Sequence, residues 1–443
     1  MTDRYHRFHA SPLALAGLLL CVGGSTALSL YETRPWAREH RLTAALQGRL
    51  AERPVPLDAP HAALHPAVAP FYADRQWALA WTDAARDTLL FLLRDAAADG
   101  LDPAEFAPDA HAALGRAALA KGRRGDSLLV ERDLRFSDLF VRLGERLHAP
   151  QVGPDSLYRR SQWRPVSRPA PDLEAALRQA FGAPVPAEGV AEALDALRPQ
   201  HPGYRALRAA YAQRLSDPDA DDRDLLRLNL ERWRWLPDSL GDFHVLVNIP
   251  AYELTVHERD RDGWREALRM RAVVGKQGWS TTVMTDTMDQ VVFNPTWTIP
   301  ASIQREQYGA YRGRVVRRPG PGNPLGRVKF LFPNEYAIYI HDTPTRWPFG
   351  REARAYSHGC VRAHHPDSLA MAVLGHANGW APEEVDAIWR GPWRLRSVAL
   401  EKPVPVHLVY FTAWADADGT VTRYPDVYGR DAPLAAALGL GDA

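Results

Sequence analysis

FHVLVNIPAYELTVHE, residues 243–258, is the segment that decides the fold of the second half of this chain. Apolar and polar residues alternate along it on both sides of a proline, which is typical of strands joined by a turn. The same texture recurs in LRMRAVVG (268–275), QVVFNPTWTIP (290–300), RVKFLFPN (327–334), YAIYIHDTP (336–344) and VPVHLVYFTAWAD (404–416). Such a series of short strands predicts a mainly β sandwich or barrel.

The preceding half of the chain has a helical pattern instead. In DTLLFLLRDAAADGLDPAEF (87–106), apolar residues recur at the spacing of one helix face, and Gly100 supplies a stop signal. The acidic, proline-containing stretch SDPDADDRD (216–224) is interpreted as a linker, because it lacks the glycine and terminal glutamate of an EF-hand calcium loop. We therefore predict an α+β chain with a mostly helical scaffold domain (36–224), a mainly β domain (225–415) and a C-terminal tail (416–443).

The N-terminus has the layout of an export signal. Arg4 and Arg7 precede an apolar run and then small residues, as in a secretory signal peptide, which we place at residues 1–35. The uncharged stretch 10–31 is also long enough to span a bilayer, so an uncleaved membrane anchor is the alternative. Either segment would export the rest of the chain to the periplasm or cell envelope. The formal net charge of +1 argues against nucleic acid as a partner.

Cysteine usage points to a reactive thiol. The chain has two cysteines, and once Cys21 is removed or buried in lipid, Cys360 has no partner with which to form a disulfide. Cys360 lies in RAYSHGCVR (354–362), two residues after His358, and His341 ends a predicted strand nearby in the sequence. A thiolate is the nucleophilic form of cysteine, and a neighbouring imidazole that accepts its proton would stabilise it. The pattern predicts covalent acyl transfer through a thioester.

The residues alone leave two points open. Either His341 or His358 could be the base for Cys360, and Gly359 would let the backbone approach a substrate and offer N–H groups to a developing oxyanion. A zinc site built from His341, His358 and Cys360, with His364 and His365 nearby, is the metal alternative. The H-x-C triplet with one thiolate matches none of the usual zinc spacings, so we expect no metal and no cofactor.

The combination IHDTP…YSHGCVR resembles the active-site signature of the L,D-transpeptidase (YkuD-type) catalytic domain. Fifteen residues separate the histidine from Ser-His-Gly-Cys, followed by a hydrophobic and a polar residue. NLERWRWLP, VNIPAYELTV, FNPTWTIPASI, PGPGNPLGRVKFLFPN and DGLDPAEF are similar to the large, scaffold-bearing (YcbB-like) branch of that family. The resemblance implies a sandwich-like β catalytic domain outside the cytoplasmic membrane that acts on peptidoglycan stem peptides, and susceptibility to carbapenems.

The resemblance also implies roles for individual residues. Cys360 would attack a tetrapeptide donor stem, an amine on a second stem would be the acceptor, and His341 would be the base, oriented by the backbone carbonyl of Asp342. The remaining implied positions are His358 and Gly359 at the oxyanion pocket, Ser357 and Arg362 completing the motif, and Tyr339 and Trp297 as walls of the substrate groove.

Three departures from the family pattern concern the substrate groove and not the Cys–His pair. A peptidoglycan-binding module, present in larger relatives before NLERWRW, is missing here. The segment QREQYGAYRGRVVRR (304–318) is short where relatives have a capping insertion, and Thr281-Thr282 replaces the usual Thr-Pro. An L,D-carboxypeptidase using the same thioester, and a wall-binding protein with a vestigial pocket, are the competing hypotheses. The sequence does not reveal the oligomeric state.

Overall fold

The computed structural model describes residues 35–51, 63–117, 123–166, 168–217, 219–261 and 263–441. The predicted signal peptide or anchor lies outside these residues, apart from its last position. Among the described residues, no helix combines the length and the hydropathy needed to cross a membrane.

The elements follow one another in the order expected for an α+β chain. The helices are α1 (Pro35–Ala51), α2 (Val68–Asp74), α3 (Asp83–Asp95), α4 (Pro108–Ala117), α5 (Arg123–His148), α6 (Pro154–Leu157), α7 (Leu173–Gly182), α8 (Pro186–Ala196), α9 (Pro202–Leu215), α10 (Arg223–Arg234), α11 (Ala301–Tyr308), α12 (Pro366–Asn378), α13 (Pro382–Arg390) and α14 (Asp431–Ala437). The strands are β1 (Phe243–Asn248), β2 (Glu253–Asp260), β3 (Gly263–Gly275), β4 (Met284–Phe293), β5 (Trp297–Thr298), β6 (Val316–Arg317), β7 (Val328–Leu331), β8 (Ile340–His341), β9 (Ala355–Ser357), β10 (Val361–Ala363), β11 (Arg396–Val409), β12 (Ala413–Ala415) and β13 (Val421–Arg423). The predicted fold class, a helical region followed by a strand-rich domain, is confirmed.

The chain divides into two compact units that are interleaved in sequence. The first contains residues up to 95, 102–145 and 172–195, and the second contains 96–101, 146–171 and everything from 196 onward. The second unit thus includes α6, α9 and α10 as well as all the strands. The boundary that we place at 224/225 stays a prediction.

The first unit is held around a buried carboxylate on α5. Asp133 accepts hydrogen bonds from the Tyr72 hydroxyl at 2.6 Å and from the backbone N–H groups of Ala80 and Trp81 at 2.8 and 3.0 Å. Burial raises the pKa of Asp133, and these three donors compensate for the loss of water around it. The network joins α2, the loop after it and α5.

The second unit is built on one nine-stranded sheet. Its order is β10-β8-β7-β4-β11-β1-β2-β3-β9, and β10 also pairs with β3, so the sheet closes on itself. β1 pairs in parallel with β11 and antiparallel with β2, and all of its residues are buried. The alternating pattern of 243–258 therefore predicted the strands, while the register and closure come from pairing with distant segments.

Side-chain alternation divides the sheet residues near β8 between two faces. Phe330, Ile340 and Val361 belong to one hydrophobic core with residues of α12. Because successive side chains of a strand point to opposite faces, the residues beside these three lie on the other face. That second face carries the site described below.

The segment 416–443, predicted as a tail, is an integral part of the second unit as far as residue 441. It contains β13 and α14, and Leu434 and Ala435 of α14 are buried in a hydrophobic cluster. Arg232 of α10 donates a hydrogen bond to Asp431 at 2.6 Å.

Candidate active site

The sheet register brings the predicted nucleophile and base to one face. His341 of β8 is opposite Lys329 of β7 and opposite Arg362 of β10, since Ile340 pairs with both Phe330 and Val361 on the core side. Tyr339 lies two residues before His341, and Cys360 lies two residues before Arg362. Both therefore follow the same alternation and point to the same face. Five polar or reactive side chains from three neighbouring strands therefore share this face.

Cys360 is half-buried, and its Sγ lies 3.6 Å from the backbone oxygen of Ala337. Burial raises the pKa of the thiol to about 11, although contacts with Tyr339 and the positive charges of Arg362 and Lys329 act in the opposite direction. The thiol is therefore neutral at pH 7. This differs from the expected thiolate, because desolvation of the sulfur outweighs the cations around it.

His341 is only 5% exposed and is held in one orientation. Its Nδ1–H donates a hydrogen bond of 2.5 Å to the backbone oxygen of Asp342, which leaves a lone pair on Nε2. Burial, assisted by the charge of Arg362, lowers the pKa of His341 to about 3. The ring is a neutral base at pH 7. The hydrogen bond to Asp342 is the one that the resemblance implies; the catalytic role of His341 stays a prediction.

The side chain of Asp342 fixes the turn after β8. Its carboxylate accepts hydrogen bonds from the N–H of Arg327 at 2.7 Å, the N–H of Thr343 at 2.6 Å and the guanidinium of Arg346 at 2.7 Å. Gly326, with a φ of +59°, permits this approach, since a Cβ there would lie 2.1 Å from the carboxylate oxygen. Asp342 thus holds His341 through its backbone oxygen and the turn after β8 through its side chain.

The backbone of the motif turn is stabilised from within. The Ser357 hydroxyl donates to the backbone oxygen of Cys360 at 2.5 Å and accepts from the N–H of Gly359 at 3.2 Å. Gly359 has a φ of +110°, a conformation that favours glycine. The Gly359 N–H, an expected oxyanion donor, is therefore already engaged by Ser357 in this structure.

His358 faces away from the strand face. Its Nε2 lies 2.6 Å from a carboxylate oxygen of Glu306 on α11, and its ring meets the edge of Trp279 at 5.0 Å between centroids. Glu306 also binds the ammonium group of Lys276 at 2.9 Å. The structure thus ties His358 to α11 and to the turn after β3, and the hydrogen bonds of its ring do not involve Cys360.

Thr281 and Tyr428 hold the turn that leads into Cys360, and sequence reasoning missed both roles. The Thr281 hydroxyl accepts from the N–H of Gly275 at 2.9 Å and donates to the oxygen of Gly359 at 2.8 Å. Tyr428 donates to the Gly275 oxygen at 2.7 Å and accepts from the Thr281 N–H at 3.2 Å. Thr281 is visible in the sequence as a departure from the family pattern, whereas nothing in the sequence signals Tyr428.

The predicted substrate-binding residues differ in what they offer. Arg362 has a buried Nε with no hydrogen-bond partner among the described residues. Tyr339 is half-buried, with its ring 5.6 Å from that of His341. Trp297 is 8% exposed and packs with Ile299 and Leu325, so it acts mainly as support behind Tyr339. Lys329, which the sequence analysis did not single out, joins this group from β7.

Two family models match the chain, one in its helical region and one in its strand-rich region. A scaffold domain matches residues 66–210, and the YkuD domain, described as an L,D-transpeptidase catalytic domain, matches residues 242–374. Together they account for more than half of the chain, and the second includes the entire strand face around Cys360. The chain carries a scaffold domain and an L,D-transpeptidase catalytic domain of the YkuD type. The resemblance inferred from the motif is confirmed, as is the combination of scaffold and catalytic domains.

Individual relatives agree with this assignment. A putative L,D-transpeptidase of Haemophilus influenzae is 32% identical over 244 residues, which cover 46% of this chain and 48% of that relative. The chain thus spans about half the length of the curated relative that it matches. Among solved structures, an L,D-transpeptidase from Mycobacterium smegmatis is 16% identical with a TM-score of 0.22, over 38% of this chain and 58% of its own.

A second solved structure is the L,D-transpeptidase LdtMt1 in complex with imipenem. It is 15% identical with a TM-score of 0.22, over 38% of this chain and 59% of its own. Because both TM-scores are low, the family assignment depends on the two domain models and the curated relative.

Proposed function

We propose that this L,D-transpeptidase cross-links peptidoglycan stem peptides through a thioester on Cys360. The observation that carries the proposal is the pairing of a half-buried neutral thiol with a buried neutral imidazole on one face of the sheet. A neutral pair needs no prior ionisation. The proton can leave sulfur as sulfur attacks, so the nucleophile is generated only when a substrate carbonyl is present.

In the first half-reaction, Cys360 Sγ attacks the carbonyl carbon that precedes the terminal residue of a tetrapeptide donor. His341 Nε2 accepts the thiol proton and then delivers it to the departing amine, so that D-alanine leaves as the C–N bond breaks and the C–S bond remains. Arg362 and Lys329 place positive charge beside this centre and would stabilise the negative charge that develops. The buried Nε of Arg362 would also receive a stem-peptide carboxylate.

In the second half-reaction, the amine of another stem attacks the thioester carbonyl. His341 takes a proton from the attacking nitrogen and returns it to sulfur, which restores the starting thiol and imidazole. The product is an amide bond between two stems, and the number of protons on the protein is unchanged.

Hydrolysis of the same thioester is a second candidate function, favoured by the exposure of the segment 304–318. Tyr311 is 57% exposed and Val316 is 42% exposed, so these two side chains of the segment are open to solvent. Water that reaches the thioester in place of an amine would convert the tetrapeptide to a tripeptide. The enzyme would then be an L,D-carboxypeptidase, with the same residues in the same roles.

The substrate also suggests the location of the enzyme. Peptidoglycan lies outside the cytoplasmic membrane, so we infer that the two folded units act in the periplasm or cell envelope. An N-terminal segment of the predicted signal or anchor type is consistent with export.

The decisive experiment incubates the purified protein with tetrapeptide muropeptides and analyses the products by mass spectrometry. Cross-linked dimers joined between the third residues of two stems are expected, and tripeptide monomers alone would identify the carboxypeptidase. The matched control is Cys360→Ser, which should lose at least about 10³-fold in turnover while keeping its melting temperature. Imipenem should add its mass to the wild type and not to this variant; turnover by the variant would eliminate the thioester mechanism.

A further inference from the structure

A second group of histidines lies in the same unit, toward the end of the β2–β3 hairpin remote from Cys360. His244 of β1 is directly opposite His257 of β2, and their rings stack with centroids 5.1 Å apart. His201, at the N-terminus of α9, has its ring 6.0 Å from His244 and 5.6 Å from His257. One nitrogen from each ring lies within 4.8 Å of the other two. Among the described residues, this is the one such group of potential metal ligands, and it excludes Cys360 and His341.

Two of the three rings present an unsatisfied nitrogen. His244 is fully buried, and its Nδ1–H donates to the backbone oxygen of Gly241 at 2.8 Å, so Nε2 carries a lone pair. That Nε2 has no hydrogen-bond partner among the described residues, and the same holds for the buried Nε2 of His201. Native proteins rarely leave buried polar atoms unpaired, and an unoccupied ligand position is one explanation for such atoms.

Two further histidines, His257 and His407, differ in whether a ring nitrogen is free to bind a metal. His257 Nε2 lies 2.9 Å from the Thr255 hydroxyl, and when Nε2–H donates to that oxygen, Nδ1 keeps a free lone pair. His407, 5.4 Å from His244, is different, because its Nδ1 contacts Thr285 at 3.0 Å and its Nε2 the backbone oxygen of Leu240 at 2.9 Å. With both of its nitrogens engaged, His407 packs against the group without being available to it.

The surroundings suit a metal ion that is reached from solvent. His201 and His257 line a cavity of about 1030 Å³, together with Trp233, Trp264 and Trp414. Burial lowers the pKa of His201 to about 3 and that of His244 to about 2, so both rings are neutral, which is the form that binds metals. His244 forms the floor of the group and the other two rings form its open side.

We propose that His201, His244 and His257 bind one divalent transition-metal ion of the zinc type, with a fourth position open to the cavity. Three imidazoles and one open position are a coordination set that zinc accepts. Zinc–nitrogen bonds of about 2.0–2.1 Å place tetrahedral ligand atoms about 3.3 Å apart, so the rings must close by up to about 1.5 Å.

Ligation also requires a change of tautomer at His201. Its Nδ1 accepts the N–H of Gly203 at 3.0 Å, which puts the ring proton on Nε2. Binding through Nε2 moves that proton to Nδ1 and releases the N–H of Gly203. The bound ion would tie the start of α9 to β1 and β2, so it is expected to stabilise this unit of the enzyme.

The test is a metal titration of the full-length protein after chelation and dialysis, in a Cys360→Ser background that removes the catalytic thiol. One equivalent of Co²⁺ should bind and give the absorption bands of tetrahedral or five-coordinate cobalt. Zn²⁺ should displace the Co²⁺ and abolish these bands. Zn²⁺ at 100 times its dissociation constant should raise the melting temperature by about 5 °C.

Two variants keep the test independent of folding. His201→Asn retains a residue that can cap α9, and His257→Gln retains a hydrogen-bonding group at a half-buried position; each should weaken Co²⁺ binding at least tenfold. His376→Gln, at an exposed histidine of α12, is the control and should bind like its parent. Binding weaker than millimolar, or binding that survives in both His201→Asn and His257→Gln, would overturn the proposal.

Discussion

The two histidines that precede Cys360 in the motif occupy very different surroundings. His341, nineteen residues away in the sequence, is buried on the strand face with its Nδ1 fixed by the oxygen of Asp342. His358, two residues away, is partly exposed and bound to Glu306 on α11. The nearer residue in the sequence is thus the one that the structure directs elsewhere.

This comparison shows why spacing alone left the base undecided. An H-x-C triplet places both side chains on one face only if the segment is a regular strand, and here Gly359 interrupts it with a φ of +110°. His341 reaches the same face as Cys360 because β8 and β10 are parallel neighbours in the closed sheet. Pairing between strands therefore decides which imidazole shares a face with the thiol.

The largest expected effect is that of replacing His341 with glutamine, compared with the same replacement at His358. His341→Gln should lower the rate of imipenem acylation by about 10²- to 10⁴-fold, because no other group on the strand face is a neutral base at pH 7. His358→Gln should lower it by less than about tenfold, since it removes only the contact with Glu306. Both rates are measured by mass spectrometry of the intact protein.

A larger loss of acylation rate in His358→Gln than in His341→Gln would contradict the comparison. Melting temperatures of both variants are the control, because His341 is buried and its replacement also removes a hydrogen bond to Asp342.

An intermediate effect is expected at Thr281, which holds the turn that leads into Cys360. Thr281→Val leaves the N–H of Gly275 and the oxygen of Gly359 without their partner in a fully buried position. We expect a loss of about 1–3 kcal/mol in the free energy of unfolding and about tenfold in acylation. Thermal unfolding and the acylation assay measure the two losses.

Thr281→Ser is the matched control for that variant. It retains the hydroxyl and should recover most of both losses. A Val variant that acylates as fast as the wild type would show that the turn is held without Thr281.

The smallest effect concerns pH. With the pKa of His341 near 3 and that of Cys360 near 11, both groups stay neutral between pH 5 and 9. His341 loses its function as a base only when pH falls toward 3, and the thiol ionises only as pH rises toward 11. The acylation rate should therefore vary by less than about threefold across this range. A tenfold change in the acylation rate between pH 5 and pH 9 would contradict the pairing of a neutral His341 with a neutral Cys360.

The group formed by His201, His244 and His257 offers a second comparison with His341. Burial lowers the pKa of His244 to about 2, as it lowers that of His341 to about 3, so both rings are neutral. His341 shares its surface with a thiol and two cations, whereas His244 faces two other imidazoles. The same protonation state suits proton transfer in one place and metal binding in the other.

Much of the fold was predictable from local pattern. Period-two alternation in 243–258 and its later counterparts located the strands, and the leucine spacing in 87–106 located helix α3. The interleaving of the two units and the folding of 416–441 were not predictable, because they depend on contacts between segments far apart in the sequence. Arg232 and Asp431, almost two hundred positions apart, are one such contact.

The candidate site likewise contains residues that the sequence identified and residues that only the structure revealed. The motif was enough to identify Cys360 and to bring His341 into consideration. Lys329 and Tyr428 were overlooked because a lysine in a strand and a tyrosine near the C-terminus carry no signal of their own, and Thr281 was noted only as a departure from the family pattern. Their importance comes from the atoms that they meet.

The amino-acid sequence by itself determined the chemical groups available to this protein and the strands and helices that carry them, because both follow from residue type and local spacing. Tertiary structure alone decided that His341 shares a sheet face with Cys360, and that both groups are neutral, because strand register and a pKa depend on pairing and desolvation. It likewise decided that His201, His244 and His257 meet, since they come from a helix and two strands with no common motif.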